Sequence, residues 1–518
     1  MALRLDPHRS LAGLAAAAVA LGVAALLAIP LGPHADSRTA VGSVVIDLTP
    51  GPLKEWAIQT FGTNDKLFLT VAVLVAIALI AMVTAQFEDR KLGSIALALA
   101  GVLGAAAVLS RTGARPLDVA PSLVGAAAGI AVLRLLVSDR LGSAAPAPAP
   151  APESEADTDT DTDPGRRRSL AALGFLAAGT LAGVIGTVLG RAASSVAGDR
   201  SAYTPPAAKL PGPPIPPDVQ PAGVDLPPFI TPNADFYRID TALSVPQVQR
   251  QDWRLRIHGM VDREVTFRFD ELAQFEAIDK VVTLTCVSNP VGGNLISNAT
   301  WTGYRVRDLL ARAGVHADAD MVLSKSIDGF TAGTPVEALT DNRDALVAVA
   351  MNGEPLPTEH GYPARLVVPG LYGYVSATKW VVDLELTRFD RAQAYWTKLG
   401  WSAHGPIKTE SRIDVPRAGS AVPMGTATFG GVAWAQNRGV RAVEVRIDDG
   451  PWRPATLGAA YSNDTWRLWS YTWQADQPGR HTITVRATDG TGALQTSEVA
   501  DVVPDGATGW HSVSFTVA

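Results

Sequence analysis

Apolar residues fall into two regimes along this chain. Runs at about 11–31, 66–87, 92–110, 119–137 and 170–190 each approach the roughly 20 residues that a helix needs to cross a bilayer, which predicts five membrane-spanning helices. After about residue 229 the runs shorten to strand length, as in VVTLT (281–285), ALVAVAM (345–351) and RLVVPG (365–370), with Gly and Pro between them. YRVRDLLARAG (304–314) has the spacing of a short amphipathic helix, with Gly314 placed to end it. From about residue 412, VRAVEVRID (440–448), WRLWSYTWQ (466–474) and HTITVRATD (481–489) recur with turns between them. This pattern predicts an antiparallel β-sandwich of immunoglobulin type.

The predicted domains are a four-helix transmembrane region (1–141), a linker with an Arg-rich motif (142–169) and a fifth transmembrane helix (170–190). They continue with a Pro-rich spacer (191–228), an α+β domain (229–411) and the sandwich (412–518). Arg4 and Arg9 before the first apolar run also fit a cleaved signal peptide, but the run is long and more spans follow, which favours retention. Arg4, Arg9, Arg90, Lys91, Arg140 and Arg166 to Arg168 fall on one side of the five spans, and Arg38, Lys54, Lys66, Arg111 and Arg115 on the other. That bias places the N-terminus in the cytoplasm and everything after residue 190 outside it. The linker APAPAPAPESEADTDTDTDPG (145–165) cannot bury a core and reads as solvated chain. Arg166-Arg167-Arg168 before AALGFLAAGTLAGVIGTVLG resembles a twin-arginine export signal inside the chain, with ordinary positive-inside charge as the alternative. The Pro-rich stretch 205–228 is expected to run extended as a stiff spacer, with the soluble module beginning near Phe229.

A net charge of −6 leaves no basic footprint for a phosphate backbone, so nucleic acid is excluded as a partner. The chain has one cysteine, Cys286, so no intramolecular disulfide forms even though the reading puts this domain in an oxidising compartment. Cys286 closes an apolar strand and opens a loop, where a rigid scaffold presents reactive groups. A thiolate is a soft ligand for a transition metal, and one suffices if a cofactor supplies the other donors. The alternative from composition alone is a small buried apolar residue, as most cysteines outside disulfides are.

The surrounding segments reverse that order. LTCVSNPVGGNLISNATWTGYRVRDLLARAG (284–314) and MNGEPLPTEHGYPARLVVPGLYGYVSATKW (351–380) resemble, in content and order, the molybdopterin domain of the sulfite oxidase family. The resemblance runs from about Ile230 to the C-terminus and implies a molybdenum oxidoreductase with a single molybdopterin, in the form without a nucleotide. It implies that Cys286 is the metal ligand, that His360 and Arg365 hold the pterin phosphate and that Lys379 binds cofactor beside Trp380. Arg and Lys suit a buried dianionic phosphate. Ser376 and Thr378 in the same segment, and Asn233 and Tyr237 in ITPNADFYRID (230–240), are further implied cofactor contacts. Arg238 stands one place early for the arginine that lines the family's substrate anion site, and Arg467 in TWRLWS resembles another from the C-terminal domain. Two departures bear on substrate: Trp401 stands where sulfite oxidases carry an active-site tyrosine, and Pro290-Val291-Gly292-Gly293 stands where they place arginines. Sulfite would lose a charge-assisted partner there, which brings a neutral sulfoxide into competition.

No Cys-x-x-Cys-His motif and no cysteine set for an iron–sulfur cluster is present, and all eight histidines lie outside the five runs. The electron route therefore calls for a separate haem-bearing or quinone-linked carrier. The helices serve as a lipid anchor that also docks such a carrier, and the family's C-terminal domain, often used for dimerisation, implies a homodimer. Two competing readings remain. One is a membrane-tethered binding or adhesion protein that has lost the cofactor, and the other a cysteine hydrolase using His258, His360 or His404 as base.

Overall fold

The computed structural model describes residues 5–61, 65–111, 113–138 and 164–518. These fall into two compact units, Met1–Ser195 with Ala242–Ser244, and Val196–Thr241 with Val245–Ala518.

The first unit is helical: α1 (Pro7–Ala28), α2 (Ser37–Leu48), α3 (Gly51–Phe61), α4 (Asp65–Ala85), α5 (Leu92–Leu109), α6 (Ala120–Val137) and α7 (Pro164–Ser194). Five stretches, Pro7–Leu31, Lys66–Ala85, Leu92–Leu109, Pro116–Val137 and Arg166–Ser201, are long and apolar enough to cross a membrane, which makes them candidate spans. The short helices α2 and α3 were not expected, because neither has the length or uniform apolarity that marks a span. The helix open to reading as a signal peptide is the one the others pack on, since α1 contacts α4, α6 and α7. Small residues permit this: Gly125 and Gly129 of α6 lie against the backbone carbonyls of Ala20 and Ala16, where a side chain would collide. Arg166 to Arg168 lie within the first turns of α7. Most of the acidic and Pro-rich linker lies outside the described residues.

The second unit opens with a short helix, α8 (Ala197–Ser201), and then a long extended segment. That Pro-rich segment is bound rather than a free spacer, and ordered packing begins at Val196, well before Phe229. Leu210 forms a bridge with Ile278, Tyr461 Oη donates to Pro213 O at 2.9 Å, and Val219 and Leu226 are buried. Proline cannot donate to a ladder, but its extended backbone still offers carbonyls to neighbours, and the apolar residues between prolines anchor it.

Ten strands follow: β1 (Arg254–Gly259), β2 (Val265–Arg268), β3 (Ala277–Thr285), β4 (Ile296–Arg305), β5 (Met321–Ser326), β6 (Thr331–Pro335), β7 (Leu346–Met351), β8 (Glu354–Pro355), β9 (Arg365–Val367) and β10 (Val381–Thr387). One sheet runs β2-β1-β10-β5-β6, and another β3-β4-β7-β8 with β9 on β7. Between β4 and β5, α9 (Val306–Ala313) buries Val306, Leu309, Leu310 and Ala313, and Gly314 ends it at a positive φ of 71°. A second short helix, α10 (Val336–Thr340), follows β6. β7 is buried along its whole length, so the continuous apolar run that marks it in the sequence is the signature of a strand covered on both faces.

The C-terminal part is a sandwich of β11 (Glu410–Val415), β12 (Ala421–Val422), β13 (Gly425–Trp434), β14 (Val440–Ile447), β15 (Arg453–Pro454), β16 (Thr456–Leu457), β17 (Arg467–Ala475), β18 (Gly479–Asp489) and β19 (His511–Val517). Its sheets run β11-β13-β17-β16 and β12-β19-β18-β14-β15, and Phe429, Trp469, Ile483, Val485 and Phe515 form the core.

Glu410, at the start of β11, is buried, and the loss of solvation pushes its carboxyl up to about 8 against a weaker opposing pull from Lys408. The folded state therefore holds a proton that the unfolded state has released, so between about pH 4.5 and 8 stability declines as pH rises. Glu410→Gln is expected to leave the melting temperature unchanged at pH 4 to 5. At pH 8 and above it should stabilise the fold by on the order of 3 kcal/mol. Thermal melts of both proteins across that range check this, and an equal shift at every pH would contradict it.

Candidate active site

Cys286 follows the last residue of β3 and is partly exposed. Its amide donates to Leu295 O at 2.9 Å and its carbonyl accepts from Asn289 N at 3.1 Å, so the loop that begins at the cysteine closes back on it. Asn289 Oδ1 accepts from Leu295 N at 2.8 Å and tightens the same loop.

Tyr237 stands between this thiol and the basic residues. Burial, and after it the neighbouring Cys286, push its phenol up, while Arg365 opposes them, so the hydroxyl stays protonated at neutral pH. Its ring stacks on Phe236, with centroids 5.5 Å apart, and Phe236 in turn meets the edge of His360 at 5.4 Å. A side chain at Gly373 would meet Ala377 Cβ and then Thr285 O and Tyr237 Oη, so the 371–377 turn borders the same space.

Arg365 is 4 % exposed, and its guanidinium donates to the carbonyls of His360 (3.2 Å) and Leu366 (3.3 Å), with Ala377 O at 3.5 Å. It lies 4.9 Å over the Trp301 ring. No carboxylate pairs with it among the described residues, and burial draws its pKa down to about 10. A buried cation without a counter-charge costs several kcal/mol, and an anion placed there would offset that cost. Lys379 Nζ donates to Asp240 Oδ2 at 2.7 Å and to Glu359 O at 3.1 Å, and burial pulls it down to about 8. Arg238 Nε shares the same Asp240 oxygen at 2.9 Å. His360 is buried and drawn down to about 4, first by burial and then by Arg365 and Lys379, so it is a neutral imidazole at pH 7. Arg365, His360, Lys379 and the 230–240 segment are thus brought together, and a phosphate fits the charge that Arg365 leaves open.

The other residues singled out in the sequence have partners within the fold, and the Asn233 backbone also bonds His360. Asn233 Oδ1 accepts from Asn352 Nδ2 at 2.8 Å, so its amide orders the neighbouring turn. The hydroxyls of Ser376 and Thr378 are buried and bonded within the fold. Ser376 Oγ donates to Tyr372 O at 2.9 Å, and Thr378 Oγ1 bonds Ser324 Oγ at 2.7 Å, so these side chains shape the turn. Trp401 is buried against Tyr374 and Trp396, with centroids 5.8 and 6.0 Å away. Arg467 does not reach the site, because its guanidinium donates to Gly458 O and Val440 O, both at 2.9 Å, inside the sandwich. The neighbouring Trp466 instead reaches the α+β domain, its indole donating to Phe229 O at 3.0 Å. Sequence reasoning missed Asp240 and Trp301. An acid beside a phosphate site looks out of place until it is seen balancing Lys379 and Arg238.

For a cysteine hydrolase, the bases are otherwise engaged: His258 pairs with Asp383 at 3.0 Å and His404 packs on Phe389. In the loop after Cys286, Gly292 lies against the His511 ring and Arg412 Nη1 donates to Gly293 O at 2.8 Å. Burial and Arg412 draw His511 down to about 4, and Arg412 pairs with Asp414 at 2.8 Å.

Residues 242–396 match the oxidoreductase molybdopterin binding domain family, and residues 410–485 match the bacterial Ig domain family. Sulfite oxidase of Gallus gallus is 29% identical over 325 residues, covering 53% of this chain and 70% of that protein. The chain spans only 52% of the length of the human mitochondrial sulfite oxidase. The uncharacterized oxidoreductase YuiH of Bacillus subtilis is 31% identical over 153 residues, 30% of this chain and 74% of that one. Among solved structures, the sulfane dehydrogenase SoxCD of Paracoccus pantotrophus is similar over 52% of this chain and 76% of its own, at 25% identity and a TM-score of 0.46.

Proposed function

This chain belongs to the sulfite oxidase family of molybdopterin-dependent oxidoreductases, and on that footing we propose that it exchanges an oxygen atom with a small neutral oxo-compound, a sulfoxide ahead of sulfite. The observation that carries the enzymatic reading is the buried Arg365, without a paired carboxylate among the described residues, in the same neighbourhood as Tyr237 and Cys286. When bound, the molybdenum–molybdopterin cofactor supplies two-electron oxygen-atom transfer. Arg365 and Lys379 hold its phosphate, neutral His360 packs beside them, and the Cys286 sulfur is the protein's ligand to the metal. Tyr237 keeps its proton and offers an O–H to an oxygen in the site.

A neutral substrate is favoured by the Cys286 loop. Its nearest cation, Arg412, is paired with Asp414, and His511 is neutral at pH 7, so an anion finds no open charge there among the described residues. The candidate spans expose Leu74, Leu79, Ile80, Leu99 and Leu103, as faces turned to lipid do. The proposal includes anchoring in the cytoplasmic membrane, the catalytic domain on the far side, and a separate haem-bearing or quinone-linked electron carrier.

The test compares sulfoxide reduction by a reduced viologen with sulfite oxidation by an acceptor dye, using purified holoenzyme. A kcat/KM for sulfoxide at least about tenfold the higher, which is a transition-state difference of about 1.4 kcal/mol, is expected. A preference for sulfite would overturn the substrate assignment.

A further inference from the structure

The strand that delivers Cys286 is the terminal strand of its sheet, with β4 on one side only. An open edge exposes unpaired N–H and C=O groups that the fold has to cover. Here the cover comes in two pieces. Near the start of β3, Lys209 N donates to Ala277 O at 2.9 Å and Asp279 N to Leu210 O at 3.0 Å. Near its end, where the direction of the cysteine is decided, the partners belong to the C-terminal sandwich. Thr283 N donates to Asp464 O at 3.0 Å, Trp466 N donates to Thr283 Oγ1 at 2.8 Å, and Gln436 Nε2 donates to both Thr283 O and Thr285 Oγ1 at 3.2 Å.

Gln436 makes the contact nearest the metal ligand. It follows β13, is fully buried, and touches the residue immediately before Cys286. Thr283 O can only accept, which fixes the amide with its nitrogen toward the strand. Its own Oε1 is buried without a hydrogen-bond partner, an expense of about 1–3 kcal/mol. The fold tolerates that cost at a position whose donors serve the strand end.

We propose that Gln436 is a positioning residue for the Cys286 sulfur: from the sandwich it holds Thr283 and Thr285, and so sets the direction in which the thiolate meets its metal. Overlap between a sulfur lone pair and a metal orbital depends on the torsion about the Cβ–S bond, so a strand end free to twist changes the bond even when the ligand remains. The inference rests on Cys286 being the molybdenum ligand, and makes the sandwich part of the catalytic machinery.

Gln436→Leu in the holoenzyme removes the donors at nearly constant volume. Thr285→Val removes the acceptor nearest the cysteine and keeps the shape. Each variant is expected to keep its molybdenum, to shift the paramagnetic resonance of the singly reduced metal and the sulfur-to-metal absorption band, and to lower kcat by roughly 10- to 100-fold with little change in KM. The double variant should go no further than Gln436→Leu alone, because the contact that Thr285→Val deletes is one of the two that Gln436→Leu already removes. Gln495→Leu is the control. That buried glutamine accepts from Ser411 Oγ and Ala487 N and donates to Gly509 O, all away from β3, so its loss should lower the melting temperature and leave both spectra unchanged. Unshifted spectra in metal-replete Gln436→Leu, additive effects in the double variant, or the same shift in Gln495→Leu would each overturn the inference. Absence of molybdenum from the unmodified protein would instead remove the reading beneath it.

Discussion

Cys286→Ala is expected to reduce turnover by well over 100-fold while the protein keeps its melting temperature to within about 1 kcal/mol of stability. Losing an outer partner of a metal ligand typically costs 10- to 100-fold, and removing the ligand itself costs more. The stability effect is small because the cysteine is only partly buried and its backbone bonds to Leu295 and Asn289 do not depend on the side chain. Cys286→Ser keeps the volume but offers a hard oxygen that suits the metal less well, so it is expected to fail nearly as completely. Steady-state assays beside thermal melts separate this from a folding defect. A Cys286→Ala protein with near-normal turnover would mean that the sulfur does not bind the reacting metal.

Arg365→Met is expected to act with opposite signs on the empty and the loaded protein. In the cofactor-free protein it replaces a buried guanidinium lacking a carboxylate with an apolar chain of similar length, which stabilises by about 1–4 kcal/mol where a buried charge is relieved. Loss of the contact over Trp301, about 1 kcal/mol, offsets part of this. Toward a phosphate-bearing cofactor the same change removes a desolvated charge pair worth about 2–5 kcal/mol, or roughly 30- to several-thousand-fold in affinity. Protein made in a host unable to assemble the pterin should therefore melt higher than its parent, and protein made in a competent host should retain far less pterin. A variant that melts lower when empty and keeps its pterin would assign Arg365 to structure alone.

Much of the site was legible because its signals are local. Cys286 stands at the end of an apolar strand, α9 shows its buried stripe and its terminal glycine within eleven residues (304–314), and the apolar runs carry their own length. His360, Arg365 and Lys379 are singled out by the resemblance, and the structure adds that Arg365 is a buried charge with no paired carboxylate among the described residues. The C-terminal contributions were harder to read. Trp466 and Arg467 are neighbours on an extended chain, yet Trp466 bonds Phe229 O while Arg467 bonds Gly458 O and Val440 O inside the sandwich. Gln436 reaches Thr285 across 151 positions, and nothing in the local pattern of either segment announces that contact. Nor does the sequence announce that the Ser376 hydroxyl bonds Tyr372 O and the Thr378 hydroxyl bonds Ser324.

The most direct measurement is the molybdenum content of the unmodified protein, by mass spectrometry, after purification from a host that makes the cofactor. About one molybdenum per chain, released together with pterin on denaturation, is expected. Pure, folded protein that contains neither would leave Arg365 without its anion and Cys286 without its metal, and would contradict the enzymatic reading outright.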